Sequence, residues 1–374
     1  MIVLGIIVSA VCLSYVSVVI YWLAGWYKTR EHTYDGWAGK NTFSIIVAFY
    51  NEQAYIERCL ESLVKVDYDK HKYEIIMVDD GSTDGSADIV QRIIQAYPQA
   101  DITLLSREHA GKKPAVKAGV QAAKYELILT TDADCAVQPS WVKVYDSYYE
   151  RYHKPMMFGS VLFFTQPRLF NYLQQLEIGS LMIAAAGCAG QGKVLMCSAA
   201  NMCYTKNMYM SLQAHMEKSN KCASGDDVFL MHALAQQYGA EAAGYVRSRQ
   251  SLVFTQARNT YKSFIRQRIR WAGKTPYYDN TYVKNMAVIV GAMSVLPVVL
   301  LLSACFQTVP FALAGMAFFV KFAVDMPVLS AWCRYIAQPS LMWWYPLAAL
   351  CYPWYVISVL AGMCCKKKRM ETDW

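Results

Sequence analysis

The residues with the clearest chemical potential in this chain are aspartates. Asp132-Ala-Asp134 directly follows the apolar run Leu127-Ile-Leu-Thr130. Two carboxylates one residue apart at a strand end can both approach one divalent cation, or one cation and one ribose. Asp79 and Asp80 end a second apolar run, Tyr73–Val78, and open the turn Asp79-Asp-Gly-Ser-Thr-Asp-Gly85. One of that pair is placed to accept hydrogen bonds from a nucleobase or ribose. Asp226 and Asp227 follow Gly225 at the start of an apolar helical stretch. The helix macrodipole favours acids there, and capping accounts for one of them. A carboxylate in that position also suits a general base on an acceptor hydroxyl. Lys112 lies in Ala110-Gly-Lys-Lys-Pro114, which opens a helix. A helix N-terminus with lysines beside it suits an anion. Gln267, Arg270 and Trp271 fall in Arg266-Gln-Arg-Ile-Arg-Trp271. Arginine pairs well with a diphosphate, and a tryptophan ring offers a flat apolar wall to a sugar or base. Each motif has a plainer reading: a solvated acidic turn, a capped helix, a basic turn, a membrane-surface helix.

The elements that must position these groups alternate. Strands are predicted at Phe43–Ala48, Tyr73–Val78, Ile102–Leu105 and Glu126–Thr130. Helices are predicted at Glu52–Val66, Ser86–Tyr97 and Lys112–Ala123. Such alternation implies right-handed βαβ units around a mostly parallel sheet. Ligands of these sheets bind beyond the carboxyl ends of the strands. That rule selects Ala48–Glu52, Asp79–Asp84, Ser106–Lys113 and Thr131–Cys135. Acidic residues converging there repel one another unless a divalent cation lies between them, and Mg²⁺ or Mn²⁺ usually completes its shell with substrate phosphates. Leu176–Ala186, with its small run Ala184-Ala-Ala-Gly187, reads as an interfacial or buried helix.

Hydrophobic residues make up 55% of the 374 and charged residues 17%, which argues against a purely soluble protein and against disorder. The apolar residues gather at the two ends. Residues 1–27 read as a retained membrane anchor rather than a signal peptide, because no basic residues precede the apolar stretch. Residues 286–363 hold three candidate spans, at about 286–305, 308–330 and 341–363. Lys321 and Asp325 interrupt the middle span and are spaced to pair on one helix face. The positive-inside rule puts the intervening chain in the cytoplasm. Three spans after it would then carry the basic tail, 364–374, to the other side, so one span is re-entrant or the rule fails here. The 12 cysteines include no C-x-x-C pair, which fits reduced thiols in a reducing compartment. The net charge of +8 concentrates beside the apolar ends, and no nucleic-acid recognition motif appears.

Taken in order, the blocks Val47-Ala-Phe-Tyr-Asn-Glu52, Val78-Asp-Asp-Gly-Ser-Thr-Asp84, Gly111-Lys112 with Ala118-Gly119, Asp132-Ala-Asp134, Gly225-Asp-Asp227 and Gln267-Arg-Ile-Arg-Trp271 resemble the family 2 glycosyltransferases. The resemblance is to the membrane-integrated branch that includes cellulose, hyaluronan and chitin synthases and ceramide glucosyltransferase. It covers about residues 43–275. It implies a GT-A fold at 40–257, an amphipathic interfacial helix at 258–282, membrane helices on both sides and a multi-pass protein of the cell membrane; the absence of eukaryotic features points to a bacterial inner membrane, and the positive-inside rule to a cytoplasmic catalytic domain. It implies a nucleotide-sugar donor, a lipid or polysaccharide acceptor and Mg²⁺ or Mn²⁺. By the same resemblance, Ala48, Tyr50, Glu52, Asp79, Asp80, Lys112, Asp132, Gln267, Arg270 and Trp271 bind the donor. Asp132 and Asp134 hold the metal and Asp227 is the general base. Asn201, Asp226 and Trp271 lie on the acceptor side. The departures are Lys117 where the family usually has Asn, and Asp-Asp at 226–227 where most members have Glu-Asp. The length and the few C-terminal spans favour single transfers to a lipid-linked acceptor over a long polymer. A membrane nucleotide-binding subunit without catalysis is the remaining alternative.

Overall fold

The computed structural model describes residues 2–213, 215 and 225–365. The basic tail expected at 364–374 falls outside them from residue 366 onward. The described chain divides into two compact units, one of residues 29–164 and 192–256, the other of 2–28, 165–191 and 257–365.

The first unit is built on a seven-stranded sheet in the order β3-β2-β1-β4-β7-β5-β8. Its strands are β1 (Phe43–Phe49), β2 (Tyr73–Asp79), β3 (Ile102–Ser106), β4 (Leu127–Thr130), β5 (Met156–Gly159), β7 (Met202–Thr205) and β8 (Ala243–Val246). Two shorter strands, β6 (Val161–Phe163) and β9 (Val253–Thr255), pair in parallel beside it. The first four strands are parallel, with Phe43 opposite Tyr73 and Leu127. Strand β7 alone runs antiparallel, to both β4 and β5. Every residue of β1, β2 and β4 is buried, as expected of strands covered on both faces.

One face is closed by α2 (Ile56–Val64), α3 (Ser86–Ala96) and α5 (Trp141–Tyr152). Phe43, Ile45, Val47 and Phe49 point into that layer among Leu60, Leu63, Val90 and Trp141. The other face is closed by α4 (Lys112–Ala122). Gly119 lets α4 lie against the sheet, because a Cβ there would sit 2.6 Å from Ile46 Cγ2. The predicted strands and helices are present, each with its ends within four residues of those expected. Helix α2 begins latest, because Asn51 adopts φ +54° and the chain turns before Tyr55.

The segment before β1 is tied to α5. Buried Asp146 accepts from Trp37 Nε1 at 2.5 Å, Lys40 N at 2.7 Å, Asn41 Nδ2 at 2.7 Å and Tyr68 OH at 3.0 Å. Beside it, buried His32 meets Ser147 Oγ at 2.8 Å and the edge of the Tyr148 ring.

The second unit is helical: α1 (Ile2–Lys28), α6 (Leu169–Gly190), α9 (Tyr261–Ala272), α10 (Thr281–Cys305), α11 (Phe311–Tyr335) and α12 (Tyr345–Cys365). Among the described residues four stretches are long and apolar enough to cross a membrane: α1, α10, α11 and Pro339–Cys365. They coincide with the spans read from the sequence. The small run at 184–187 belongs to a longer helix than expected, the 22-residue α6, and it groups with the apolar helices rather than with the α/β unit. Its small residues let backbones touch. A Cβ on Gly187 would lie 2.1 Å from Trp22 O, and one on Gly25 would lie 1.9 Å from Gly187 O.

Lys321 and Asp325 do pair, at 2.6 Å. Tyr15 of α1 joins them, receiving a hydrogen bond from Lys321 Nζ at 2.9 Å and donating to Asp325 Oδ1 at 2.5 Å. In α9, Arg268 is the buried charged member of the Gln267–Trp271 block, 2% exposed. Its Nε donates to Glu177 Oε1 at 2.9 Å, and its guanidinium lies 4.3 Å from the Trp271 ring centre.

Two outcomes follow. Asp325→Asn leaves Lys321 buried and underpaired, and costs about 3–5 kcal/mol. Thermal unfolding of the detergent-solubilised chain checks this, with Lys321→Met/Asp325→Leu recovering most of the loss. Burial, reinforced by Arg151, lowers the His32 pKa from 6.5 to about 4. The unfolded chain therefore takes up a proton that the folded chain refuses. The contribution is intact above about pH 6.5 and is lost as pH falls toward 4, by about 3 kcal/mol. His32→Gln should flatten stability against pH in that window.

Candidate active site

The site forms where β1, β4 and β7 meet the N-termini of α4 and α8 (Asp226–Tyr238). A cavity of about 20 Å³ there is lined by Ala48, Lys112, Thr131, Asp132, Asp226 and Asp227, among others. Strand β4 delivers Asp132 just past its carboxyl end. Gly225, at φ +96°, turns the chain so that α8 starts with both acids in its first turn.

The electrostatic centre is Lys112. Its ammonium forms an ion pair with Asp132 Oδ1. Burial opposes its charge, yet Asp132, Asp226 and Asp227 outweigh that and hold the pKa above the ordinary lysine range. Asp227 is fixed by two backbone groups: Ala199 N donates to Oδ2 at 3.1 Å and Val228 N to Oδ1 at 2.8 Å. The carboxylate therefore has a set orientation before any substrate arrives.

Asp134 sits on the same turn as Asp132. Its Oδ1 accepts from Thr255 Oγ1 at 3.2 Å. Ligand atoms of Asp132, Asp134 and Cys135 all lie within 4.8 Å of one another. Burial, then the neighbouring Asp134 and Asp132, pushes the Cys135 thiol well above its usual pKa, and sulfur is a soft donor poorly matched to a hard cation. The two carboxylates are thus the fitting donors. Arg58 supports their turn by donating from Nη2 to Asp134 O at 3.2 Å, with its guanidinium 4.1 Å from the centre of the Phe164 ring.

The second acidic turn serves its neighbouring loop. Asp80 is fully buried and accepts from Gly111 N at 2.7 Å and Ala110 N at 3.2 Å, with His109 Nδ1 at 2.9 Å and Arg107 Nε at 3.7 Å. Gly81 is required at φ +78°, where a Cβ would stand 3.0 Å from His109 N. Asp79 Oδ1 accepts from Ser82 N at 2.9 Å. Asp80 thereby sets the approach to the N-terminus of α4 and to Lys112. Tyr50 stacks on His109 with ring centres 4.3 Å apart. Glu52 N donates to Ser86 Oγ at 2.8 Å, which ties the end of β1 to the start of α3. Lys117 is exposed on α4.

The structure thus brings Ala48, Lys112, Asp132, Asp226 and Asp227 to one cavity, with Asp134 beside Asp132. Gln267, Arg270 and Trp271 lie on α9, in the helical unit. The expectation for Asn201 needs correction. Its side chain is 0% exposed and meets protein on every side. It accepts from Trp141 Nε1 and Tyr145 OH, both at 2.8 Å, and donates to Ser160 O at 2.7 Å and Ser251 O at 2.9 Å. It is a tie between segments rather than a group facing an acceptor. The sequence pass missed Arg58, Arg268 and Thr255. Their partners are far away in the chain, and no local spacing marks them.

The sheet, with its single reversed strand and its acid-bearing strand ends, is a GT-A fold. Residues 44–213 match the family model described as "Glycosyl transferase family 2". The chain therefore carries a family 2 glycosyltransferase domain. Over 102 residues it is 37% identical to the dolichyl-phosphate beta-glucosyltransferase of Dictyostelium discoideum, covering 25% of this chain and 31% of that protein. Over 131 residues it is 31% identical to the poly-beta-1,6-N-acetyl-D-glucosamine synthase of Staphylococcus aureus, covering 32% of this chain and 30% of that one. The chain thus spans about a third of the length of these relatives. Among solved structures, the mannosyltransferase PcManGT of Pyrobaculum calidifontis, determined with GDP-Man and Mn²⁺, superposes with a TM-score of 0.57 at 16% identity, covering 97% of this chain and 99% of that one. At that identity the likeness is one of fold.

Asn201→Ala should lower stability by about 3 kcal/mol or more, because it strands the Trp141 and Tyr145 donors in the core. Thermal unfolding checks it. An acceptor-facing asparagine would leave the melting temperature unchanged.

Proposed function

We propose that this domain moves a sugar from a nucleoside diphosphate sugar, UDP-linked by expectation, to a lipid or lipid-linked acceptor at a membrane, with inversion at the anomeric carbon. The observation that carries this reading is the meeting of Lys112, Asp132, Asp226 and Asp227 at one cavity beyond the strand ends. Asp227 is the general base. Held by its two backbone donors, it takes the proton of an acceptor hydroxyl as that oxygen attacks the anomeric carbon. The bond from that carbon to the diphosphate breaks on the opposite face. Lys112, freed from Asp132, offers its charge to the leaving diphosphate. A bound Mg²⁺ or Mn²⁺, held by Asp132 and Asp134, supplies counter-charge to the same group. Gln267, Arg270 and Trp271 keep the donor and acceptor roles that their motif alone supports.

A lipid-linked acceptor is favoured by the long apolar helices that accompany the domain, which suit an acceptor held at a membrane surface. A processive polysaccharide synthase is the second reading, supported by the 131-residue match to a polysaccharide synthase. Product length on a gel separates the two. The central test is release of nucleoside diphosphate by the purified chain across a panel of nucleotide sugars, with and without Mn²⁺. Asp227→Asn should cut transfer at least about a hundredfold while nucleotide affinity stays within a few-fold of wild type. Undiminished turnover in that variant would remove the base assignment.

A further inference from the structure

Two residues that line the cavity carry hydroxyls that the fold does not use. They are Thr131 and Tyr204. Thr131 is 4% exposed and Tyr204 1%. Neither Thr131 Oγ1 nor the Tyr204 phenol oxygen has a hydrogen-bond partner among the described residues. Buried hydroxyls without partners are costly and uncommon, typically about 1–3 kcal/mol each. Phenylalanine or valine would fill the same space without that cost.

The surroundings say what such hydroxyls would serve. Tyr204 stacks on Tyr209, with ring centres 5.2 Å apart and planes 18° from parallel. Tyr209 lines the cavity too. Charged groups (Lys112, Asp132, Asp226 and Asp227) share the cavity lining with these two rings and with Thr131. The space beside them takes at least a water-sized polar group.

We infer that Thr131 and Tyr204 are specificity-determining residues that read one polar substituent of the donor's sugar ring. The inference rests on the reading of the cavity as the donor site. A substituent that reaches either hydroxyl gives it the hydrogen bond it lacks. A sugar lacking that substituent leaves both unpaired, which is how a built polar site rejects a deoxy analogue.

The test uses the full-length chain in detergent. The best wild-type donor is first chosen among UDP-glucose, UDP-galactose, UDP-N-acetylglucosamine and GDP-mannose. Affinities for that donor and for its bare nucleoside diphosphate are then measured in wild type, Tyr204→Phe and Thr131→Val. Removing an unpaired hydroxyl should leave the melting temperature unchanged or raised, so loss of fold does not confound the result. The expected outcome is donor affinity lowered about fivefold or more in each variant, with the bare diphosphate bound within twofold of wild type. Donor affinity unchanged in both variants, or an equal loss for the bare diphosphate, overturns the inference. If the wild-type chain binds no nucleoside diphosphate at all, the donor-site reading itself fails and takes the inference with it.

Discussion

One ammonium group organises the site. Lys112 pairs with Asp132, and Asp226 and Asp227 also stabilise its charge, so the lysine offsets the mutual repulsion of the three acids. Two sequence-distant loops are therefore compatible only because the N-terminus of α4 delivers a lysine between them. The same arrangement suits exchange. In the proposed reaction Lys112 would turn from Asp132 to the diphosphate, leaving Asp132 and Asp134 to hold the cation.

That lysine depends in turn on Asp80. A buried carboxylate holding two backbone amides and flanked by two basic side chains shapes the loop from Arg107 to Gly111, and Lys112 begins where that loop ends. The acidic turn read as a nucleotide contact thus serves first as a scaffold for the next loop. A strand end in an α/β sheet can hold its neighbour's loop and face a ligand through different atoms, so the two uses do not compete.

The sheet was legible because its strands are buried on both faces, which writes near-continuous apolar runs into the sequence, and because its loops carry unmistakable acids. The apolar helices were legible for a similar reason: length and composition suffice. What stayed hidden depends on contacts between distant positions. Asn201 looks like a polar residue at a strand start, and only its partners on α5 and on two other segments show that it is internal. Glu177 reads as a stray acid in an apolar run until Arg268, 91 residues later, is placed against it. Residues 165–191 were assigned to the wrong unit for the same reason, since a helix with no strong polar face gives no sign of which neighbours it has.

The contact between Gly25 and Gly187 leaves no room for even a methyl group on either side. Neither position can accept a larger residue without prising two backbones apart, so the first helix is fitted to one particular partner rather than merely greasy. Its sequence is constrained by touch as well as by solubility in lipid. A foreign leader of equal hydropathy would enter the bilayer yet fail to seat.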